Sequence, residues 1–215
     1  MILNLFFNEP QVGVVLILSL IFSLSFHEFA HAYTAHRLGD NTAAYQGRLT
    51  LNPIAHLDPV GSIMLLVAGF GYAKPVPVNP TNLINPREDM MKIAFAGPLS
   101  NFFLVLCSCL IMRVMGADNL FVFGNFNSIG LTLYLFATIN MTLGVFNMIP
   151  IYPLDGGQIF GGYFDRVNPQ LSYKLKVYGP QILFGVIMIG IFTGFSIISI
   201  IIRPFHDLVN ILAGF

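Results

Sequence analysis

Long apolar runs alternate with short polar connections along this chain, and four of the runs are long enough to cross a bilayer as helices. They fall at about 12–35, 92–115, 128–149 and 181–202. A helix needs about 20 such residues to bridge a hydrocarbon core of ~30 Å. A fifth run, about 60–72, reaches only ~20 Å at the helical rise, so it is expected to dip in and return or to pack against the other helices. After it, AKPVPVNP places Pro75, Pro77 and Pro80 in close succession. Each proline fixes φ and removes a donor, which excludes helix and predicts an extended stretch. Such a stretch is either an edge for a peptide or a plain surface connector. The tail, 204–215, is amphipathic and expected at the interface. The expected fold class is an all-α polytopic membrane protein. It has about four full transmembrane helices, a short re-entrant or partial segment and an extended Pro-rich loop, in a single membrane-embedded domain over 1–215.

Composition agrees with that pattern. Hydrophobic residues make up 55% of the 215 positions and charged residues 9%, against roughly 25% charged in soluble domains. Lys+Arg and Asp+Glu both number 10, and this balance gives no reason to expect a nucleic-acid partner. Cys107 and Cys109, two apart in one apolar run, point to different sides of a helix and are expected as reduced packing residues. Residues 1–10 contain no Lys or Arg, unlike the charged start of a cleaved signal peptide, so the first span is expected to stay.

If the short run does not cross, Arg37, Arg48, Lys74, Arg87, Lys92, Arg166, Lys174 and Lys176 share one side. Arg113 and Arg203 take the other. The positive-inside rule makes the first side cytoplasmic.

The chemistry is concentrated in the first span, at Phe26-His27-Glu28-Phe29-Ala30-His31. Histidines four apart share a helical face, so both imidazoles can reach one metal ion. Glu28, beside the first of them, can serve as general base. A charged group at the centre of a span costs about 2.5–3.5 kcal/mol on the insertion scale, which makes ionisable residues there functional candidates. A catalytic zinc needs a third protein ligand and an open position. Arg37 stands where a closely spaced third histidine would fall. The candidates farther away are Asp40, His56, Asp58, Asp155 and His206. Asp155 follows Pro150 and Pro153 at the end of the third span and reaches the side and depth of His31. His206 falls on the opposite side. His56 and Asp58 stay open as alternatives, although Asn52-Pro53 and Asp58-Pro59 also read as turns.

HEFAH on a membrane helix, followed by NMIPIYPLDGG on a later one, resembles the site-2 protease family of intramembrane metalloproteases. GRLTLNPIAHLDPVG, GYAKPVPVNP and AGPLSNF resemble its compact single-domain prokaryotic branch. The resemblance implies a Zn²⁺ cofactor held by His27, His31 and Asp155, with Glu28 as catalytic base and Asn147 holding substrate. It also implies that single-pass membrane proteins are cut within or near their spans, at the cytoplasmic side of a cell membrane. Tyr152 departs from the family, which usually has proline there. A metal transporter and a non-catalytic zinc scaffold are the alternative functions. A transporter predicts more ionisable groups along a path, and a scaffold has no need of Glu28. Asn101 and Asn140 lie inside spans and are expected to face protein rather than lipid.

Overall fold

The computed structural model describes residues 7–68, 71–122 and 125–214. Residues 1–6, part of the stretch expected to precede the first span intact, lie outside them.

Among the described residues, four helices are long and apolar enough to cross a membrane: α1 (Pro10–Arg37), α3 (Pro86–Met115), α4 (Ser128–Asn147) and α6 (Pro169–Thr193). The shorter helices of more than one turn are α2 (Pro59–Ala68), α5 (Asp155–Val167) and α7 (Ile197–Ala213). The chain is a multi-pass, all-α membrane protein. Among the described residues its strands are a two-residue pair, β1 (Phe121–Val122) and β2 (Asn125–Phe126), antiparallel with Phe121 opposite Phe126, and an isolated bridge joins Leu57 and Ala73.

The pattern of α1 is inverted relative to a soluble helix. Ser19, Ser23, His27, His31 and Ala35 repeat every fourth position and are buried, whereas Leu18 and Phe22 face outward. In lipid the small and polar residues belong at helix–helix contacts, because the surrounding solvent is itself apolar. Helix α3 is the hub, packing against α1, α4, α5 and α7.

The short run is a single short helix after which the chain returns to where it began. Helix α2 has 10 residues and spans only ~15 Å. By Tyr72 the chain is back against Gly61, where no side chain fits, and Ala73 pairs with Leu57 beside the point of departure. Residues 74–79 then form neither helix nor sheet ladder, as the prolines lead one to expect, and Pro75, Val76 and Val78 line the site.

The last apolar run differs from expectation. It is not one span over 181–202, since α6 starts at Pro169 and ends at Thr193. Gly194 takes the left-handed conformation (φ 73°), and the Ser196 side chain accepts from the Ser199 N–H to start α7. Hydropathy runs through this break, but glycine and a serine cap are a complete stop-and-start signal. The tail is therefore not separate at an interface. Within α7, Ile202, Val209 and Ala213 are buried in the core against α3 and α4. Val209 sits beside Cys109, and Gly214 beside Arg113. Cys107 and Cys109 are free thiols.

Candidate active site

Two turns of α1 carry the site, because an α-helix places i and i+4 on one face. The rings of His27 and His31 stand edge to face, centroids 4.6 Å apart, with Nε2 atoms 3.0 Å apart. Asp155 completes the group from the first turn of α5. Its Oδ2 lies 3.1 Å from His27 Nε2 and its Oδ1 3.4 Å from His31 Nε2. All three side chains are largely buried.

The outer nitrogens decide what this cluster can hold. His31 Nδ1 lies 2.7 Å from the Ile93 carbonyl oxygen. A carbonyl only accepts, so Nδ1 carries a proton, and in the neutral ring that a metal requires Nε2 presents its lone pair. His27 Nδ1 lies 2.6 Å from Asn101 Oδ1, with the same consequence. Two lone pairs and a carboxylate then converge with no proton among them, and Asp155 Oδ2 is buried without a donor. Such a set is repulsive unless a cation sits in it. The separations of 3.0–3.4 Å are close to the ~3.3 Å between ligand atoms held tetrahedrally at about 2.0–2.1 Å from zinc. The residues fit that metal.

Room for an ion comes from α3. A Cβ on Gly97 would overlap Nε2 of both histidines. Pro98 follows, and it has no N–H to return to the Ala94 carbonyl, which opens the helix beside the imidazoles. Sequence reading missed Gly97, although the AGP tripeptide inside a span was a legible signal.

Glu28, Asn147 and Asp155 line one cavity of about 470 Å³ with the two histidines. Glu28 is buried, and one of its carboxylate oxygens accepts from the Val76 N–H at 3.2 Å. Asn147 donates its amide to the Leu143 carbonyl at 3.0 Å, one turn back.

The other candidates for a third ligand lie elsewhere. Asp40 is fully buried and accepts from the Thr42 N–H and hydroxyl, the Asn82 amide and the Asn79 N–H. His56 is buried with Nε2 2.7 Å from the Thr50 carbonyl. Asp58 accepts from the Gly61 N–H at the start of α2. His206 lies 2.9 Å from the Thr142 hydroxyl, on α7.

The Pro-rich stretch is tied down at both ends. The Lys74 N–H donates to the His56 carbonyl, the buried Arg48 guanidinium donates to the Lys74 carbonyl, and the Asn79 N–H donates to Asp40. Tyr152, the departure from the family pattern, occupies a notch whose walls are glycines. Side chains at Gly157, Gly161 and Gly179 would each collide with it. It wedges the loop before Asp155 against α5 and α6.

The model of Peptidase family M50 matches residues 123–190, the segment containing Asn147 and Asp155. The Bacillus subtilis protein named "Putative zinc metalloprotease YwhC" is 44% identical over 162 residues, 74% of this chain and 72% of that protein. Rip2 of Mycolicibacterium smegmatis, named in the same words, is 30% identical over 76% of this chain and 61% of its own length. "Zinc metalloprotease MJ0392" of Methanocaldococcus jannaschii is 26% identical over 86% of this chain and 46% of its own length. The chain thus spans less than two thirds of the latter two. No solved structure matches it.

Proposed function

The chain belongs to peptidase family M50, the site-2 protease family, and from that premise we propose that it is a zinc-dependent intramembrane protease acting on single-pass membrane proteins. The observation that carries this reading is the convergence of the His27 and His31 Nε2 atoms, on one membrane-spanning helix, with the Asp155 carboxylate at separations of 3.0–3.4 Å.

His27, His31 and Asp155 hold the ion. Zinc, when bound, supplies Lewis-acid polarisation of a scissile carbonyl and activates water at neutral pH. Glu28 lines the same cavity and takes up the proton lost by the attacking water, then returns it to the leaving amine. The cavity admits the water that the reaction consumes.

A helical substrate keeps its carbonyls hydrogen-bonded and must unwind to be cut. Residues 74–79 offer it a partner. In an extended strand the backbone groups of i and i+2 face one edge. Val76 points its N–H at Glu28, so Val78 shares the edge facing the site. The Val78 N–H and C=O have no hydrogen-bond partner among the described residues. Pro75 and Pro77 leave the opposite edge without donors there, which discourages pairing on the wrong side. Strand addition at Val76–Val78 delivers an unwound segment beside the metal ligands, and Asn147 borders its path. The basic residues at the connections support a site that faces the cytoplasm, with the cell membrane as its location.

Comparative membrane proteomics tests this reading. Cells carrying Glu28→Gln should accumulate membrane-anchored fragments that wild type removes. Identical fragment profiles, with both proteins expressed and zinc-loaded, would sink it.

A further inference from the structure

We propose that Asn140 and Asn101 are positioning residues that fix the proton of His27 on Nδ1 through a one-way hydrogen-bond relay across three helices. Its starting point is the Phe136 carbonyl on α4, which only accepts. The Asn140 amide nitrogen donates to it at 2.8 Å, and that sets which end of the Asn140 side chain faces α3. The exposed end is the oxygen, and the Asn101 amide nitrogen donates to it at 2.8 Å. Asn101 therefore turns its own oxygen towards α1, where His27 Nδ1 lies 2.6 Å away. An oxygen there demands an N–H, so His27 Nε2 keeps its lone pair for the ion. The two links nearest His27 are buried, with His27 4% exposed and both asparagines 0%, and the link to Phe136 is part-buried.

His31 reaches the same state from one backbone carbonyl, Ile93. His27 has no such carbonyl and depends on a side-chain amide. An amide is symmetric enough to turn over, and its two ends give opposite orders to an imidazole. Turned over, Asn101 would donate to Nδ1 and move the proton to Nε2, where it blocks the ion. Asn140 removes that choice, although it does not touch His27. Partners behind a ligating histidine set its tautomer in this way, and their loss typically weakens metal binding by about 10–100-fold.

The relay rests on His27 being a metal ligand, as proposed above. A second role for the pair, joining α3 to α4 as polar contacts between membrane helices do, makes a different prediction. The test measures zinc affinity by chelator competition, with metal-free melting temperatures, on the full chain in detergent. The variants are Asn140→Leu, Asn140→Asp and His27→Ala.

Asn140→Leu should weaken zinc by about 10-fold or more, whereas Asn140→Asp should stay within about threefold of wild type. The acid retains an oxygen for the Asn101 N–H, while leucine fills the volume and offers none. A helix-joining or packing role reverses this order, because leucine is the better-tolerated side chain inside a span. Zinc affinity of Asn140→Leu within about threefold of wild type, or Asn140→Asp as weak as Asn140→Leu, overturns the relay. His27→Ala separates the two levels. If it binds zinc as wild type does, the metal-site reading falls and the relay with it. If it loses zinc while Asn140→Leu does not, only the relay falls.

Discussion

Gly97 lies against His31 so closely that a single methyl group on its Cα would overlap Nε2. Alanine is a better helix former than glycine by about 1 kcal/mol, so Gly97→Ala should leave α3 intact or firmer. It should nonetheless reduce zinc affinity by ~10-fold or more, as disturbance of a ligand's surroundings does. Metal analysis together with a thermal melt checks both halves. Full zinc occupancy with normal activity would show that the space between the imidazoles is not where the ion binds.

Asp155 supplies the only carboxylate in the three-residue cluster. Asp155→Ala should lose zinc and all hydrolysis, and a strong chelator should reproduce the loss of activity in wild type, reversibly on adding zinc back. Undiminished zinc in the variant would return His56 and Asp58 to consideration as the third ligand.

Val78 offers a clean test of strand addition. Its N–H bonds to nothing among the described residues, so Val78→Pro deletes a donor without breaking an existing bond. One hydrogen bond contributes about 1 kcal/mol, so KM for a membrane substrate should rise about fivefold. Zinc content should not change. Unaltered KM would place substrate pairing elsewhere.

Asp40 makes stability depend on acid. Burial pushes its carboxyl up, but hydrogen bonds from Thr42, Asn82 and the Asn79 N–H more than offset this and hold it below the usual carboxylate range. A folded value below the unfolded ~3.9 means the contribution is complete above pH ~4 and is lost as pH falls through the folded value. Asp40→Asn should lower stability at pH 7 by about 1.5–3 kcal/mol, the scale of hydrogen bonds to a charged group. The gap from wild type should close in strong acid, as melts across pH would show. A gap that stays constant with pH would mean Asp40 does not titrate as described.

Much of this architecture is local and was therefore legible. Length and apolarity mark the first three spans, because a bilayer imposes ~20 residues on any helix that crosses. Pro75 and Pro77 keep 74–79 out of a helix whatever surrounds them. Spacing alone puts His27 and His31 on one face. The end of the fourth apolar run misled, because hydropathy does not register Gly194 and Ser196, two residues whose effect is conformational.

What only the tertiary structure decided is which distant groups meet. Residues 27, 93, 97, 101, 140 and 155 come from four helices, and no spacing rule links them. The sequence by itself determined that Asn101 and Asn140 should face protein rather than lipid, since an amide exposed to hydrocarbon costs several kcal/mol. It could not say which groups they meet. Helix packing supplied the answer, by setting Phe136, Asn140, Asn101 and His27 in a line whose first member can only accept.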